Sequence, residues 1–421
     1  MHHISKRGLL GGALALVFVA GISGCSSAST AGTSTQAANS QDTSAECGTV
    51  PTLKTTGNAD LSSLPADIQA GYAGYPGDIN TSNYSTFASK KSNGFVIGYS
   101  DSFAANSWRG DVLDRLNADV DSLKADGTVT SLIATNSNLD NNLQIQQITS
   151  MINQGVDAII AIPGSPTAFD GVIKQAYDAG IPFISLAAKV DSPYAITVDT
   201  NQFLSGVKVA TGLATILDGK GSVVVVDGIN GSPASSALHD GYSAGFANCP
   251  GISIAGSVEG QWSEAVTKTA MLQYLATNPA AIDGFVNGGG ETTGIIQALQ
   301  QSGRTLSPIG DSNPDKGSLV MLQQSLSDKY AASSVPPVPT ADAGLLVTLA
   351  TLLGQQPKFD TIVGNPPLVQ GADGLSSWVQ PSWTADDANQ APAPPGTEFL
   401  PASELGNFFA KPGPLPTLPP Q

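Results

Sequence analysis

Gly155-Val156-Asp157-Ala158-Ile159-Ile160-Ala161-Ile162 and, one helical stretch later, Gly180-Ile181-Pro182-Phe183-Ile184-Ser185-Leu186 decide the fold of this chain. Each segment leaves a glycine and enters a nearly continuous apolar run, the pattern of a parallel strand covered on both faces. Between them, over 168–179, Val172 and Ala176 recur at helical spacing. Gly155 and Gly180 stand where a helix ends in a left-handed residue. The unit reads as strand, helix, parallel strand with a right-handed crossover. Working outward, strands are expected over 95–99, 129–134 and 195–198. Helices are expected over 108–125, carrying Val112, Leu116 and Val120, and over 143–154, carrying Ile145, Ile148 and Ile152. A second cycle follows, with helices over 203–217, 234–247, 265–277 and 292–301 and strands over 222–227, 252–258, 282–286 and 307–309. Two successive βα series predict an α/β protein with two doubly wound, Rossmann-like lobes and a ligand cleft between them. A last pair, 329–335 and the apolar helix 341–353, returns toward the first lobe.

The 421 residues carry 34 acids against 18 bases, a formal charge of −16, and only 12% of residues are charged. Nucleic acid is excluded as a partner, since its phosphates would meet net repulsion. Lys6 and Arg7, the apolar run 9–22 and Ile22-Ser23-Gly24-Cys25 form a secretory signal over 1–24 that looks like a bacterial lipobox. Cys25 would then be lipidated and membrane-held. A Ser/Thr/Ala/Gly-rich tether over 25–46 and an N-terminal extension over 47–93 follow. The expected first lobe is 94–198 plus about 335–384, the second lobe 199–334, and a Pro-rich tail 385–421 runs extended. In an oxidising compartment Cys47 and Cys249 are expected to pair, the alternative being two free thiols.

Phosphate-loop, nucleophile-elbow, zinc-helix and Cys-x-x-Cys signatures are absent from the sequence. No catalytic residue, metal or cofactor is therefore assigned. His239 falls in a helical segment and reads as solvent-facing or satisfied. Gly228-Ile229-Asn230-Gly231 and Gly288-Gly289-Gly290 follow strands and read as turns. Polar and aromatic residues gather where strands end: Asp101, Ser102, Asn106, Trp108 and Arg109, then Asp227 with Asn230, Gln261 with Trp262, Asn287, and Asp311 with Ser312 and Asn313. Donors, acceptors and two indoles suit a neutral polyhydroxyl ligand, whose C–H face stacks on indole while its hydroxyls bridge to amides and carboxylates. Each position also has a bland reading: Trp108 and Trp262 as core, Asp227 and Asp311 as helix caps.

The chain resembles the type I periplasmic sugar-binding proteins of ABC importers, the ribose/galactose class, from about Phe95 to Gly354. The resemblance rests on Val96-Ile97-Gly98-Tyr99-Ser100 with Asn106-Ser107-Trp108-Arg109, then Gln147 with Gly155-Val156-Asp157-Ala158-Ile159-Ile160. It continues through Ala179-Gly180-Ile181-Pro182-Phe183-Ile184, Val198-Asp199-Thr200-Asn201, Gly241-Tyr242-x-x-Gly245-Phe246 and Asp283-Gly284-Phe285. Members from high-GC Gram-positive bacteria share a lipobox and an extension like that over 72–84. The resemblance implies the type I periplasmic-binding-protein fold, with Ser102, Asn106, Trp108 and Arg109 on one side of the cleft. The other side would carry Asn230, Trp262, Asn287 and Asp311. Where ribose binders have Asp-Arg after the fourth strand this chain has Ala187-Ala188, Ile162-Pro163 replaces their Asn-Pro, and Ser235-Ser236 replaces an arginine. These departures favour a polyol, a deoxy sugar or a less polar molecule over ribose. The implied function is a monomeric, lipid-anchored solute-binding protein delivering a sugar or polyol to an ABC permease and its ATPase. It would close about 198–201, 313–319 and 333–337. A sensor for a membrane signalling receptor is the rival reading, and a hydrolase using Asp101 and Asp311 the enzymatic one.

Overall fold

A computed structural model describes residues 46–420. The signal over 1–24, Cys25 and all of the tether except residue 46 lie outside the described residues. An extension with a short helix, α1 (Ala66–Gly71), leads into β1 (Phe95–Asp101), α2 (Ser107–Ala125), β2 (Val129–Asn136), α3 (Asn141–Gln154), β3 (Ala158–Ile162), α4 (Asp170–Asp178), β4 (Phe183–Leu186) and β5 (Ile196–Thr200). The second cycle runs α5 (Gln202–Ile216), β6 (Lys220–Asp227), α6 (Pro233–Phe246), β7 (Gly251–Glu259), α7 (Glu264–Thr277), β8 (Gly284–Asn287), α8 (Thr292–Gln301), β9 (Ile309–Asp311), α9 (Lys316–Ser325) and β10 (Tyr330–Ala332). Then come α10 (Pro337–Leu352), β11 (Thr361–Gly364), β12 (Val369–Gln370), α11 (Gly371–Trp378) and α12 (Ala402–Leu405).

The strands form two six-stranded sheets, ordered β11-β5-β4-β3-β1-β2 and β12-β10-β9-β8-β6-β7. Pairing is parallel except between β10 and β12. Every residue of β3 is buried, as its unbroken apolar run requires. Gly155 takes the left-handed conformation that ends α3, with φ 73°. Within the second half, α5 and α6 pack on each other along a glycine seam. A Cβ on Gly241 would sit 2.2 Å from the carbonyl oxygen of Phe203, and one on Gly206 2.6 Å from that of Leu238. The Gly241-Tyr242-x-x-Gly245-Phe246 pattern is thus a close-approach device.

Among the described residues, the chain passes from one sheet to the other between β5 and α5, between β10 and α10, and between β11 and β12. The third passage is therefore 365–368, not the expected 313–319, which runs into α9. The second and third passages are bonded together, Ser333 Oγ donating to Pro367 O at 2.7 Å, and Lys208 Nζ of α5 donates to Asn365 Oδ1 of the third at 2.9 Å.

Two more placements depart from the sequence reading. Residues 369–384, expected in the first lobe, belong to the second half: β12 pairs with β10, and Leu375 and Trp378 of α11 lie in the second sheet's core. Expected as an extended tail, 385–420 includes α12 and a 3-10 turn (Gly406–Phe408), and Phe399, Leu400, Leu405, Phe408 and Phe409 are buried in the first sheet's core. A Cβ on Gly364 of β11 would meet the Phe399 ring at 2.3 Å. The apolar side chains scattered among its prolines dock the tail.

The extension is tied down at both ends. Cys47 and Cys249 form a disulfide with Cα atoms 4.6 Å apart. Farther on, three buried tyrosines reach the first half: Tyr72 Oη donates to Thr361 O at 2.9 Å, Tyr75 Oη to Asp199 at 3.2 Å and Tyr84 Oη to Tyr194 O at 2.9 Å.

Candidate functional site

A cavity of about 250 Å³ opens where strands of both sheets end. Its walls come from the loops after β1, β4, β7, β8 and β9, from the passages at Gln202 and Val335, and from the C-terminal segment at Ala388 and Gln390. The first turns of α2, α6 and α7 contribute, and so does Asp315, the cap of α9. Helix N-termini bring partial positive charge, which favours ligand oxygens.

On the first sheet's side, Asn106 caps α2 by accepting from the Arg109 N–H at 3.0 Å. That cap fixes the turn presenting Trp108 and Arg109. Trp108 donates its indole N–H to Val335 O at 2.6 Å, across to the second passage, leaving its ring as the surface offered to a ligand. The Arg109 guanidinium lies 5.7 Å from the Trp108 ring centroid and is paired with buried Asp101.

On the second sheet's side, Gln261 and Trp262 both adopt left-handed backbone, with φ 56° and 52°. Fully buried Glu291 over-determines this strained turn by accepting from Trp262 N and from Gly288 N, each at 3.0 Å. The indole lies in a slot cleared by two glycines. A Cβ on Gly228 would stand 2.1 Å from the Trp262 ring, and one on Gly288 2.7 Å from its Nε1. Both glycine runs singled out as turns thus make room for an aromatic ring.

Of the residues named from sequence, Asn106, Trp108, Arg109, Trp262 and Asn313 line one cavity. Asp101, Ser102, Asn230, Asn287 and Asp311 do not. Asp101 accepts from Tyr99 Oη at 2.8 Å and pairs with Arg109, so its oxygens serve the arginine from behind. Ser102 is buried, with its N–H donating to Ile162 O at 3.1 Å. Asn230 is exposed, outside the cavity. Asn287 donates to Thr292 Oγ1 at 2.9 Å and Gly310 O at 3.1 Å. Asp311 accepts from Thr292 Oγ1 at 2.6 Å and from Asn313 N at 2.9 Å. These two stitch adjacent strand ends together. His239 is satisfied, with Nδ1 2.8 Å from Asp227 Oδ1. The sequence reading missed Gln202, Glu264, Asp315 and Gln390. The spacing of Asp315 and Ser318 does carry a helix-cap signal, realised as Ser318 N donating to Asp315 Oδ1 at 2.6 Å.

Burial pushes Asp315 up to about 6 and Asp311 to about 7, and raises Glu291 well above the carboxylate range. Near neutrality the buried carboxyls behind the cavity, Asp311 and Glu291, therefore hold less negative charge than their number suggests, while Asp315 on the wall is largely ionised and accepts hydrogen bonds.

Residues 97–355 match the family model of the periplasmic binding protein domain. The chain belongs to this family. Like its relatives, this periplasmic binding protein has two mostly parallel α/β sheets, the type I fold. It is 27% identical over 241 residues to the xylitol-binding protein of Mycolicibacterium smegmatis, covering 57% of this chain and 68% of that one. It is 26% identical over 221 residues to the galactofuranose-binding protein YtfQ of Escherichia coli, covering 49% and 66%. A solved ABC transporter solute-binding protein from Thermobispora bispora superposes with a TM-score of 0.62 at 24% identity, over 68% of this chain and 89% of that one. The family is one of binding proteins acting outside the cytoplasm. No helix among the described residues is long and apolar enough to cross a membrane.

Proposed function

We propose that this periplasmic binding protein is the solute-capturing component of an ABC import system and takes a small polyhydroxyl ligand, a sugar or polyol. The observation that carries this reading is the pairing of two indoles, Trp108 and Trp262, from opposite halves on one cavity of about 250 Å³. Ligand pockets usually run about 300–1,000 Å³, so the volume suits a small molecule. The Arg109 charge is met by Asp101, and the remaining polar wall of amides, hydroxyls and the carboxyls of Glu264 and Asp315 suits hydroxyl groups. Support also comes from relatives named for xylitol and galactofuranose. Ligand bound between the halves favours the closed arrangement about the passages at 201, 333–336 and 365–368. The closed form is then what a membrane permease recognises. Lipidation of Cys25 would hold the protein at the extracytoplasmic membrane face, its tether giving reach to the permease.

A thermal-shift screen with xylitol, ribitol, D-ribose, D-galactose and myo-inositol tests the reading. Binding at one hundred times Kd stabilises the folded form by about 2.7 kcal/mol, so at least one compound raises the melting temperature by several degrees. No shift from any of them at millimolar concentration contradicts it.

A further inference from the structure

The matched family domain ends at residue 355, yet the cavity is not complete there. Ala388 and Gln390 form part of its wall, on a segment that follows α11 and lies along the second half. That segment is firmly held. Lys316 N donates to Asn389 O at 2.9 Å, Gly317 N to Asp387 O at 2.8 Å, and residues 315 and 390 form an antiparallel bridge. Past residue 391 the chain leaves for the first sheet, where Phe399 and Phe408 are buried.

Gln390 stands at the crossing. The residue is 8% exposed. Its Oε1 accepts from Asn313 Nδ2 of the second half at 3.0 Å, and its Nε2 donates to Ser107 Oγ of the first half at 3.2 Å. These bonds use one lone pair and one N–H, leaving one acceptor and one donor on an amide at the cavity wall. Ser107 keeps its own hydroxyl proton to donate. Asn313, also a wall residue, accepts from Val335 N at 2.9 Å. A chain of half-used amides and a hydroxyl thus runs from one half to the other beside the two indoles.

We propose that Gln390, supplied by the C-terminal segment outside the family domain, is a ligand-selecting residue of this cleft that reads hydroxyls of a sugar or polyol while joining the halves. This rests on the functional reading above and adds to it the residue that discriminates among polyhydroxyl ligands. A ligand hydroxyl that bonds the free amide positions of Gln390 and the hydroxyl proton of Ser107 touches both halves at once, so its presence or absence on the ligand is felt in closure. A segment serving only to brace the fold would not change which ligand is preferred.

The test is calorimetric titration of the full mature chain with xylitol, D-ribose and myo-inositol, for wild type, Gln390→Ala and Gln390→Glu. The second substitution keeps the shape while removing the Nε2 donors. Both variants should weaken the preferred compound at least tenfold and change the ratio of affinities between compounds at least threefold. Their unliganded melting temperatures should stay within about two degrees of wild type. Affinities within twofold of wild type overturn the proposal, as does a loss that is equal for every compound or matched by a loss of unliganded stability. Should wild type bind neither these nor the other compounds of the thermal-shift screen, the functional reading fails and this proposal falls with it, whereas wild-type binding that the variants leave unchanged counts against Gln390 alone.

Discussion

Trp262 occupies a slot that exists because two neighbouring residues have no side chain. Gly228→Ala would force a Cβ into the ring and displace it. We expect the substitution to weaken ligand binding at least tenfold in a titration, with far-ultraviolet circular dichroism unchanged. Glu291 holds the same turn from below. Glu291→Ala strands the N–H groups of Trp262 and Gly288, which costs about 1–3 kcal/mol, and urea denaturation should report a loss of that size. At this scale the sequence exposed the site unevenly. Asn106, Trp108 and Arg109 were legible because they follow a strand directly and open a helix, so chain order alone brings them to the cleft. Asn287 and Asp311 look alike locally, but their side chains turn back to bond Thr292 and neighbouring backbone. Strand position cannot distinguish a residue facing the ligand from one stitching the strand ends. Gln390 lay in a Pro-rich stretch whose partners, Ser107 and Asn313, are far away along the chain, and no local pattern marks such a pairing.

Elements rather than residues explain what the extension and tail do. The Cys47–Cys249 bond closes a loop with a sequence separation of 202. Replacing both cysteines by serine should cost about 2–5 kcal/mol, read from urea unfolding, chiefly by releasing the unfolded chain. Fully buried Phe408 anchors the tail, so Phe408→Ala should destabilise by about 3–5 kcal/mol in the same assay. A tail that merely trailed in solvent would show no such loss. The repeating βα series was plain from apolar runs such as β3 and from the glycine after α3. What escaped were the helices α9 and α11, and the strands β11 and β12, of four and two residues, too short for a periodic signal. With them went the third passage, because Asn365-Pro366-Pro367-Leu368 resembles any loop until the strands it joins are known.

For the whole molecule, the buried acids set the response to pH. Burial raises Asp199 and Asp311 to about 7 and Asp315 to about 6, while an unfolded carboxylate titrates near 4. Between about pH 4 and 7 the native state therefore holds more protons than the unfolded chain, and stability falls as pH rises through that window. Urea midpoints should be higher at pH 5 than at pH 7.5, and the reverse order would show that these acids are ionised in the native state. The same two-sheet arrangement sets the binding readout, since Trp108 and Trp262 face one cavity while Trp378 is buried in the second sheet's core and Trp383 packs against that core outside the cavity. Ligand-dependent changes in tryptophan emission thus report on the cleft. The central claim is that this cavity takes a small polyhydroxyl molecule, and its most direct test is a fluorescence titration of wild type, Trp108→Ala and Trp262→Ala with the sugars and polyols of the screen. We predict a saturable emission change for at least one compound in wild type, lost together with binding in both variants. Emission that no compound alters in wild type, or binding that is undiminished in both variants, would contradict it.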